Sequence, residues 1–223
     1  MPDSLNNHSH TSNSRTVRFK SLLDDLKRRF HQPLKRSHAL VDKKLADKDS
    51  TDDTLLIVST ASQTLFVIKN QRLDSQFSIS TAEKGTGNQM GSNQTPLGLH
   101  VIKEKFGDNA PLASVFKGRA KTGQIATILK DADTKSTEDN ITSRIFWLDG
   151  LEEGINKGND KQGNNVDSYS RYIYIHGTDE EGRLGEKASH GCIRMANSDV
   201  IALYNEIDTG CLVFITDLLI TDI

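Results

Sequence analysis

The most informative part of this chain is Arg171-Tyr-Ile-Tyr-Ile-His176-Gly177-Thr178, followed after a short polar loop by Ala188-Ser189-His190-Gly191-Cys192-Ile193-Arg194-Met195. The first segment alternates large apolar side chains and predicts a core strand with His176 at its end. In the second, Gly191 lets the backbone bend sharply without a Cβ in the way. This predicts a tight turn that exposes the Cys192 thiol beside the strand.

Cysteine attacks as the thiolate, but an unperturbed thiol with a pKa of about 8.5 is mostly protonated at neutral pH. A catalytic Cys192 therefore needs an imidazole nearby, and both His176 and His190 are candidates. Backbone N–H groups of Gly191 and Cys192 could bind a developing oxyanion, which contributes roughly 3 kcal/mol per donor. The two segments together predict a nucleophile, a base and an oxyanion hole in one short region.

At these residues the chain resembles the L,D-transpeptidase family, whose YkuD-type catalytic domain has a histidine, a spacer and then Ser/Thr-His-Gly-Cys. A second segment, Thr95-Pro96-Leu97-Gly98, is similar to the Thr-Pro-x-Gly segment of that family. The resemblance covers roughly residues 54–216. The chain departs from the pattern in a slightly shorter spacer and in Arg194, where many members have Asn. An arginine at this position suggests a guanidinium close to a carboxylate-bearing substrate.

The resemblance implies that Cys192 is the nucleophile and His176 the general base, with the imidazole oriented by the carbonyl of Gly177 or a neighbour. It implies no cofactor and no metal. The other implied roles belong to the turn: an oxyanion hole for His190, Gly191 and Cys192, support of the turn for Ser189, and substrate binding for Arg194.

The substrates implied by the resemblance are peptidoglycan stem peptides or muropeptides. The enzyme would attack the carbonyl at the L-centre of the third residue, diaminopimelate, and expel the terminal D-alanine. Transfer of the acyl group to water would be L,D-carboxypeptidase activity in muropeptide recycling, and transfer to an amine of another stem would form 3→3 cross-links. Carbapenem-type β-lactams are implied covalent inhibitors.

Composition bears on the choice of acceptor. The first fifty residues contain no apolar run typical of a signal peptide, and no stretch of the chain is long and apolar enough to span a membrane. We therefore expect a cytoplasmic protein, with the periplasm or cell wall as the alternative if the start is misassigned. A cytoplasmic enzyme meets soluble muropeptides and water, which favours the carboxypeptidase over the transpeptidase. Cys211, in an apolar segment, is interpreted as a small buried side chain.

Residues 51–223 are predicted to form the catalytic domain. Short alternating segments separated by polar turns indicate a mainly β fold, a β-sandwich with a single helix in its C-terminal half, and the resemblance implies the same fold. The helix is expected after a cap at Asn197/Ser198 and before Gly210. Loops 83–94 and 150–168 are the candidate walls of a groove. The predicted strands are 55–59, 65–69, 72–80, 99–104, 125–129, 144–149 and 212–216.

Residues 1–50 are predicted to be a disordered and helical arm with a linker. Residues 15–48 have 11 Lys/Arg against 4 Asp/Glu, whereas residues 49–223 have 17 against 25. One apolar stripe at helical spacing predicts an amphipathic helix that ends before Pro33 and either packs on the domain, remains solvated or binds an anionic partner. No aromatic residues are interleaved in a way that favours nucleic acid. The stripe consists of Phe19, Leu22, Leu23, Leu26 and Phe30.

Two other functions compete with the cysteine enzyme. A metal site could use His176, His190, Cys192 and His100, although the two-residue step from His190 to Cys192 is shorter than usual zinc-ligand spacing. A non-catalytic wall-binding module with a relic site is the second alternative. Reactivity of the Cys192 thiol would distinguish this module from an enzyme.

Overall fold

The computed structural model describes residues 16–30 and 54–222. Its two α-helices are α1 (Phe19–Phe30) and α2 (Asn197–Glu206), and a 3-10 helix spans Glu181–Arg183. The strands are β1 (Thr16–Arg18), β2 (Thr54–Ser59), β3 (Thr64–Lys69), β4 (Arg72–Ser80), β5 (Gly98–Phe106), β6 (Ser114–Lys117), β7 (Ala120–Ile125), β8 (Ile141–Gly150), β9 (Tyr174–Thr178), β10 (Ile193–Met195), β11 (Leu212–Thr216) and β12 (Leu219–Thr221).

Eight strands form a closed ring of hydrogen-bonded neighbours, in the order β5-β11-β2-β3-β4-β10-β9-β8. The ring closes because β8 also pairs with β5, where Phe106 lies opposite Ile145. Closure satisfies the backbone groups that an open sheet would leave at its edges. The predicted mainly β class and sandwich are confirmed, and the two layers of the sandwich are continuous with each other.

The period of two along each strand separates an inner core from an outer one. On β2, Leu56 and Val58 point into the inner cluster, which also contains Phe146 and Ile175. Ile57, between them, belongs to an outer cluster on the other side of the sheet. The predicted strand at residues 55–59 is confirmed. One of its faces is covered by the inner cluster and the other by the outer cluster.

Helix α2 packs against β8 and β9. Its residues Val200, Leu203 and Tyr204 are buried in the inner cluster, as their spacing predicts. The predicted cap was wrong: Ala196 occupies the N-cap position, and its side chain makes no cap hydrogen bond. Asn197 is instead the first helical residue, and its buried amide donates to the carbonyl of Thr178 at 2.7 Å.

The predicted strand at residues 125–129 was wrong, because Ile125 ends β7 and residues 126–129 lie outside any strand. The missed hairpin of β6 and β7 turns through two residues with positive φ, Gly118 (55°) and Arg119 (67°). Such a two-residue turn matches the twist of paired strands. Every residue of β7 is exposed, so an apolar alternation could not reveal it.

The described part of the arm contacts the domain. Strand β1 pairs in parallel with β12, with Val17 opposite Ile220. In α1, Phe19 and Leu22 are buried in the outer cluster, which favours the packed alternative for this helix. The predictions for residues 1–15 and 31–53 lie outside the described residues, and the division at residue 50 stays a prediction. Neither helix in the described ranges has the length and apolarity needed to cross a bilayer.

We expect Leu22→Ala to lower the free energy of unfolding by about 2–3 kcal/mol, because it removes a buried side chain from the outer cluster. The exposed neighbour in the same helix provides the control, since Ser21→Ala should change this free energy by less than about 0.5 kcal/mol. Chemical denaturation of the full chain measures both. Equal stability of the two variants would show that α1 contributes nothing to the fold.

Candidate active site

Strands β9 and β10 run in parallel, with Ile193 opposite Ile175 and Arg194 opposite His176. Side chains alternate between the two faces of a sheet, so His176 and Arg194 lie on the same face. Cys192 directly precedes β10 and continues this alternation on the face of Arg194. The pairing therefore places Cys192 beside Tyr174 and on the same face as His176, diagonally across the two strands.

The Cys192 thiol lies against the backbone of the chain before β9. Its Sγ accepts a hydrogen bond from the Tyr174 N–H and donates one to the Tyr172 carbonyl, both at 3.4 Å. Burial raises the pKa of the Cys192 thiol to about 11, while the Tyr174 N–H and the nearby Arg194 favour the thiolate. At neutral pH the resting cysteine is therefore a neutral thiol.

His176 is 3% exposed, and its Nδ1 lies 2.7 Å from the Gly177 carbonyl. Because a carbonyl only accepts, Nδ1 holds the proton and Nε2 of the neutral ring is left as a proton acceptor. Burial lowers the pKa of His176 to about 4, although the Gly177 carbonyl favours the protonated ring. The imidazole is thus a neutral base at physiological pH.

The turn before β10 is held by hydroxyl groups. Ser189 Oγ donates to the Cys192 carbonyl at 2.6 Å and accepts from the Gly191 N–H at 3.2 Å. Thr95, which is completely buried, donates from Oγ1 to the Gly191 carbonyl at 3.0 Å and accepts from the Ala82 N–H. This role of Thr95 is not apparent from the sequence, where the residue stands out only through the Thr-Pro-x-Gly resemblance.

Arg194 and His190 meet at one carboxylate that the sequence analysis did not identify, Asp139. His190 is exposed and its Nδ1 is 2.8 Å from Asp139 Oδ2, while Arg194 donates to Asp139 Oδ1 at 2.5 Å and to Glu180 Oε2 at 2.7 Å. Although burial opposes it, the charge of Arg194 and the His190 bond hold the pKa of the Asp139 carboxyl below its ordinary value. Arg194 is 2% exposed, and its predicted contact with substrate stays a prediction.

Arg171 is a further residue whose role is not apparent from the sequence. Its guanidinium donates to the carbonyls of Asn88 at 2.8 Å and Gln94 at 2.7 Å, so it anchors loop 83–94. The Gln94 carbonyl in turn packs against Gly191. Loop 83–94 therefore borders the cysteine turn. Loop 150–168 contacts loop 83–94, because the Met90 N–H donates to the Asn165 carbonyl.

His100, a candidate metal ligand, and Cys211, the second cysteine, lie in separate environments. His100 is in β5 and completely buried, with its ring nitrogens 3.0 Å from the Gly98 carbonyl and from Ser168 Oγ. Cys211 is 1% exposed beside the inner core, as its apolar surroundings predicted. Within residues 16–30 and 54–222, no three His, Cys, Asp or Glu residues cluster in a way that could hold a metal ion.

A model of the L,D-transpeptidase (YkuD) catalytic domain matches residues 53–215. The chain belongs to this family. YqjB of Bacillus subtilis, whose name assigns it to the L,D-transpeptidases, is 47% identical over 47 residues, which are 21% of this chain and 27% of YqjB.

Solved structures of L,D-transpeptidases are similar at low identity. L,D-transpeptidase 3 of Mycobacterium tuberculosis, in complex with a faropenem-derived adduct, is 16% identical over 74% of this chain and 60% of that protein, with a TM-score of 0.45. An L,D-transpeptidase of Xylanimonas cellulosilytica is 16% identical over 75% and 62%, with a TM-score of 0.42. This L,D-transpeptidase family member thus spans about 60% of the solved proteins it resembles.

The buried histidines predict how stability depends on pH. The pKa values of His176 and His100 are both about 4 in the folded protein, below the ordinary value of about 6.5. Protonation therefore favours the unfolded chain, so stability is fully present above about pH 6.5 and is lost as the pH falls through 4. Each histidine should cost about 3 kcal/mol by pH 4.

The measurement is the free energy of unfolding in denaturant between about pH 7 and pH 4. We expect a shallower decline in His176→Gln than in the unmodified chain. A decline in His176→Gln as steep as in the unmodified protein would contradict the assignment.

Proposed function

We propose that the protein is a cysteine-dependent enzyme of peptidoglycan metabolism, with Cys192 as nucleophile and His176 as general base. The observation that supports this most directly is the pairing of β9 and β10, which places the two side chains on one face. The Gly177 carbonyl fixes the imidazole so that Nε2 is the nitrogen free to accept a proton. A nucleophile beside an oriented base is the arrangement that activates a thiol.

In the proposed reaction, Sγ attacks the carbonyl at the L-centre of the third stem residue while the thiol proton passes to Nε2 of His176. The new C–S bond forms as the carbonyl electrons move onto oxygen. Collapse of this intermediate breaks the C–N bond, and D-alanine leaves with its amine protonated by His176. The product on the enzyme is a thioester at Cys192.

The neutral resting state suits this sequence of steps. With a thiol pKa of about 11 and an imidazole pKa of about 4, the proton stays on sulfur until a substrate is present. Proton transfer then accompanies attack, as in general base catalysis. Because Cys192 is only partly buried, keeping the proton on sulfur also lowers its susceptibility to oxidation.

We propose that the oxyanion accepts hydrogen bonds from backbone N–H groups of the turn at His190, Gly191 and Cys192. The Gly191 N–H bonds within the turn to Ser189 Oγ at 3.2 Å, which is a long bond that a charged oxygen could replace. Ser189 would therefore hold the turn in shape while the site is empty. Arg194 would stabilise the same turn through Asp139, which also binds His190.

We further propose water as the acyl acceptor, which makes the reaction an L,D-carboxypeptidase step on soluble muropeptides. Water needs only the His176 Nε2 to take its proton, whereas a second stem also needs a groove that aligns its amine with the thioester. The alternative is an L,D-transpeptidase that forms 3→3 cross-links. The cytoplasmic location expected from the sequence remains a prediction, and fractionation of the tagged protein in its native host tests it.

Replacing the proposed nucleophile distinguishes an enzyme from a non-catalytic wall-binding module. We expect Cys192→Ala to abolish D-alanine release because the covalent route is lost, while Cys211→Ala retains activity and costs at most about 1 kcal/mol of stability. Mass spectrometry of the intact protein should also show a carbapenem adduct that Cys192→Ala lacks. An active Cys192→Ala, or no adduct on an active preparation, would contradict the assignment.

Product analysis distinguishes the two acceptors. Because water is the proposed acceptor, a disaccharide-tetrapeptide should yield tripeptide and D-alanine as the main products, with cross-linked dimer as a minor one. Mass spectrometry of the products over time measures the ratio. Predominant dimer, together with protein in the periplasm or wall fraction, would reject the carboxypeptidase and leave the transpeptidase.

A further inference from the structure

The hairpin of β6 and β7 brings a third arginine, Arg119, to the candidate site. Arg119 lies at the tip of the hairpin, and its Nη1 donates to the Tyr174 hydroxyl at 3.1 Å. The backbone N–H of the same Tyr174 donates to Cys192 Sγ. The guanidinium is therefore connected to the thiol through a single residue, Tyr174, whose hydroxyl and backbone N–H make the two contacts.

Aromatic rings hold the Arg119 guanidinium in place. Its central carbon lies 4.2 Å from the centre of the Trp147 ring and 5.6 Å from that of Tyr172. Trp147 is itself stacked on Tyr169 with ring centres 3.9 Å apart, and its Nε1 donates to the Tyr169 carbonyl. These contacts orient Arg119 before any ligand binds, which lowers the entropy lost when it binds one.

Arg119 differs from the other two arginines near Cys192 in the groups that surround it. Arg194 is bound by Asp139 and Glu180, and Arg171 is bound by backbone carbonyls of loop 83–94. Among residues 16–30 and 54–222, no carboxylate lies within salt-bridge distance of Arg119. Its positive charge thus lies beside Tyr174 and Tyr172, the two residues whose backbone contacts the thiol, without an internal counter-ion. A planar guanidinium suits a carboxylate.

Resting on the proposed function, we propose that Arg119 binds the side-chain carboxylate of the third stem residue of the donor. Diaminopimelate has two acyl carbons: the L-centre one that Cys192 attacks, and the carboxylate at the far end of the side chain, six bonds away. Six bonds extend about 7 Å, whereas the carboxylate of the departing D-alanine is one residue, or about 3.6 Å, from the attacked carbon. Arg119 contacts the far end of the Tyr174 side chain and not the thiol itself, so the more distant carboxylate is the one that we assign to it.

This assignment makes Arg119 a specificity residue. A donor whose side-chain carboxyl is a primary amide keeps the attacked carbonyl and the leaving D-alanine, but loses the charge that Arg119 would bind. Charge-assisted hydrogen bonds are about twice as strong as neutral ones. We therefore expect the carboxylate donor to be preferred roughly 10-fold in kcat/KM.

The experiment compares these two tetrapeptide donors on the unmodified chain, on Arg119→Met and on Lys121→Met. Arg119→Met should reduce the preference to less than about 2-fold, because the apolar stem remains and the charge is lost. Lys121→Met removes an exposed cation from the same hairpin and should keep the full preference. Equal use of both donors by the unmodified chain, or an undiminished preference in Arg119→Met, would overturn the proposal.

A second experiment tests binding without turnover. Calorimetry measures the affinity of the same two donors for Cys192→Ala and for the double variant Cys192→Ala/Arg119→Met. A carboxylate preference in binding that disappears with Arg119 supports the contact even if no D-alanine is released, in which case the proposed acyl transfer alone fails. Turnover with no donor preference in either measurement leaves the proposed function intact and rejects the role of Arg119.

Discussion

The pairing of β9 with β10 is the constraint on which the candidate site depends. Parallel pairing with Arg194 opposite His176 fixes which side chains share a face, and a shift by one residue would turn the thiol and the imidazole to opposite sides. The register is itself fixed by the core, since Ile175 and Ile193 must both face the inner cluster. Packing of the interior thus determines the geometry of the chemistry.

Burial sets the protonation states of the two candidate residues. Desolvation disfavours the charged form of any group, so it raises the pKa of Cys192 and lowers that of His176. The site consequently rests as a neutral pair. The same physics exposes the fold to acid, because His176 and His100 can take up protons only at the expense of the native state.

A set of polar contacts, most of them partly buried, joins loop 126–140 to the strands and the turn around the candidate site. Asp139 joins this loop to Arg194 and His190, and Asp179 accepts hydrogen bonds from Ser136 and Asn140 in the same loop. Removing one partner of a buried pair leaves an uncompensated charge, which is strongly destabilising. These contacts therefore favour one arrangement of loop and turn over alternatives. The desolvation of their charged groups lowers the net gain in stability.

The sequence by itself determined the mainly β class, the presence of a helix before Gly210, the strand at residues 212–216 and the choice of His176 and Cys192 as candidate site residues. Each of these depends on local periodicity or on residues close together in the chain, which can be read without knowing the fold. Only the tertiary structure decided what Asn197, Arg194 and Arg119 contact. Their partners are distant in sequence, and a side chain's hydrogen bonds depend on which strands become neighbours. Strand β7 could not be predicted from the sequence either. Its exposed residues have no apolar pattern, and its position depends on its pairing with β6.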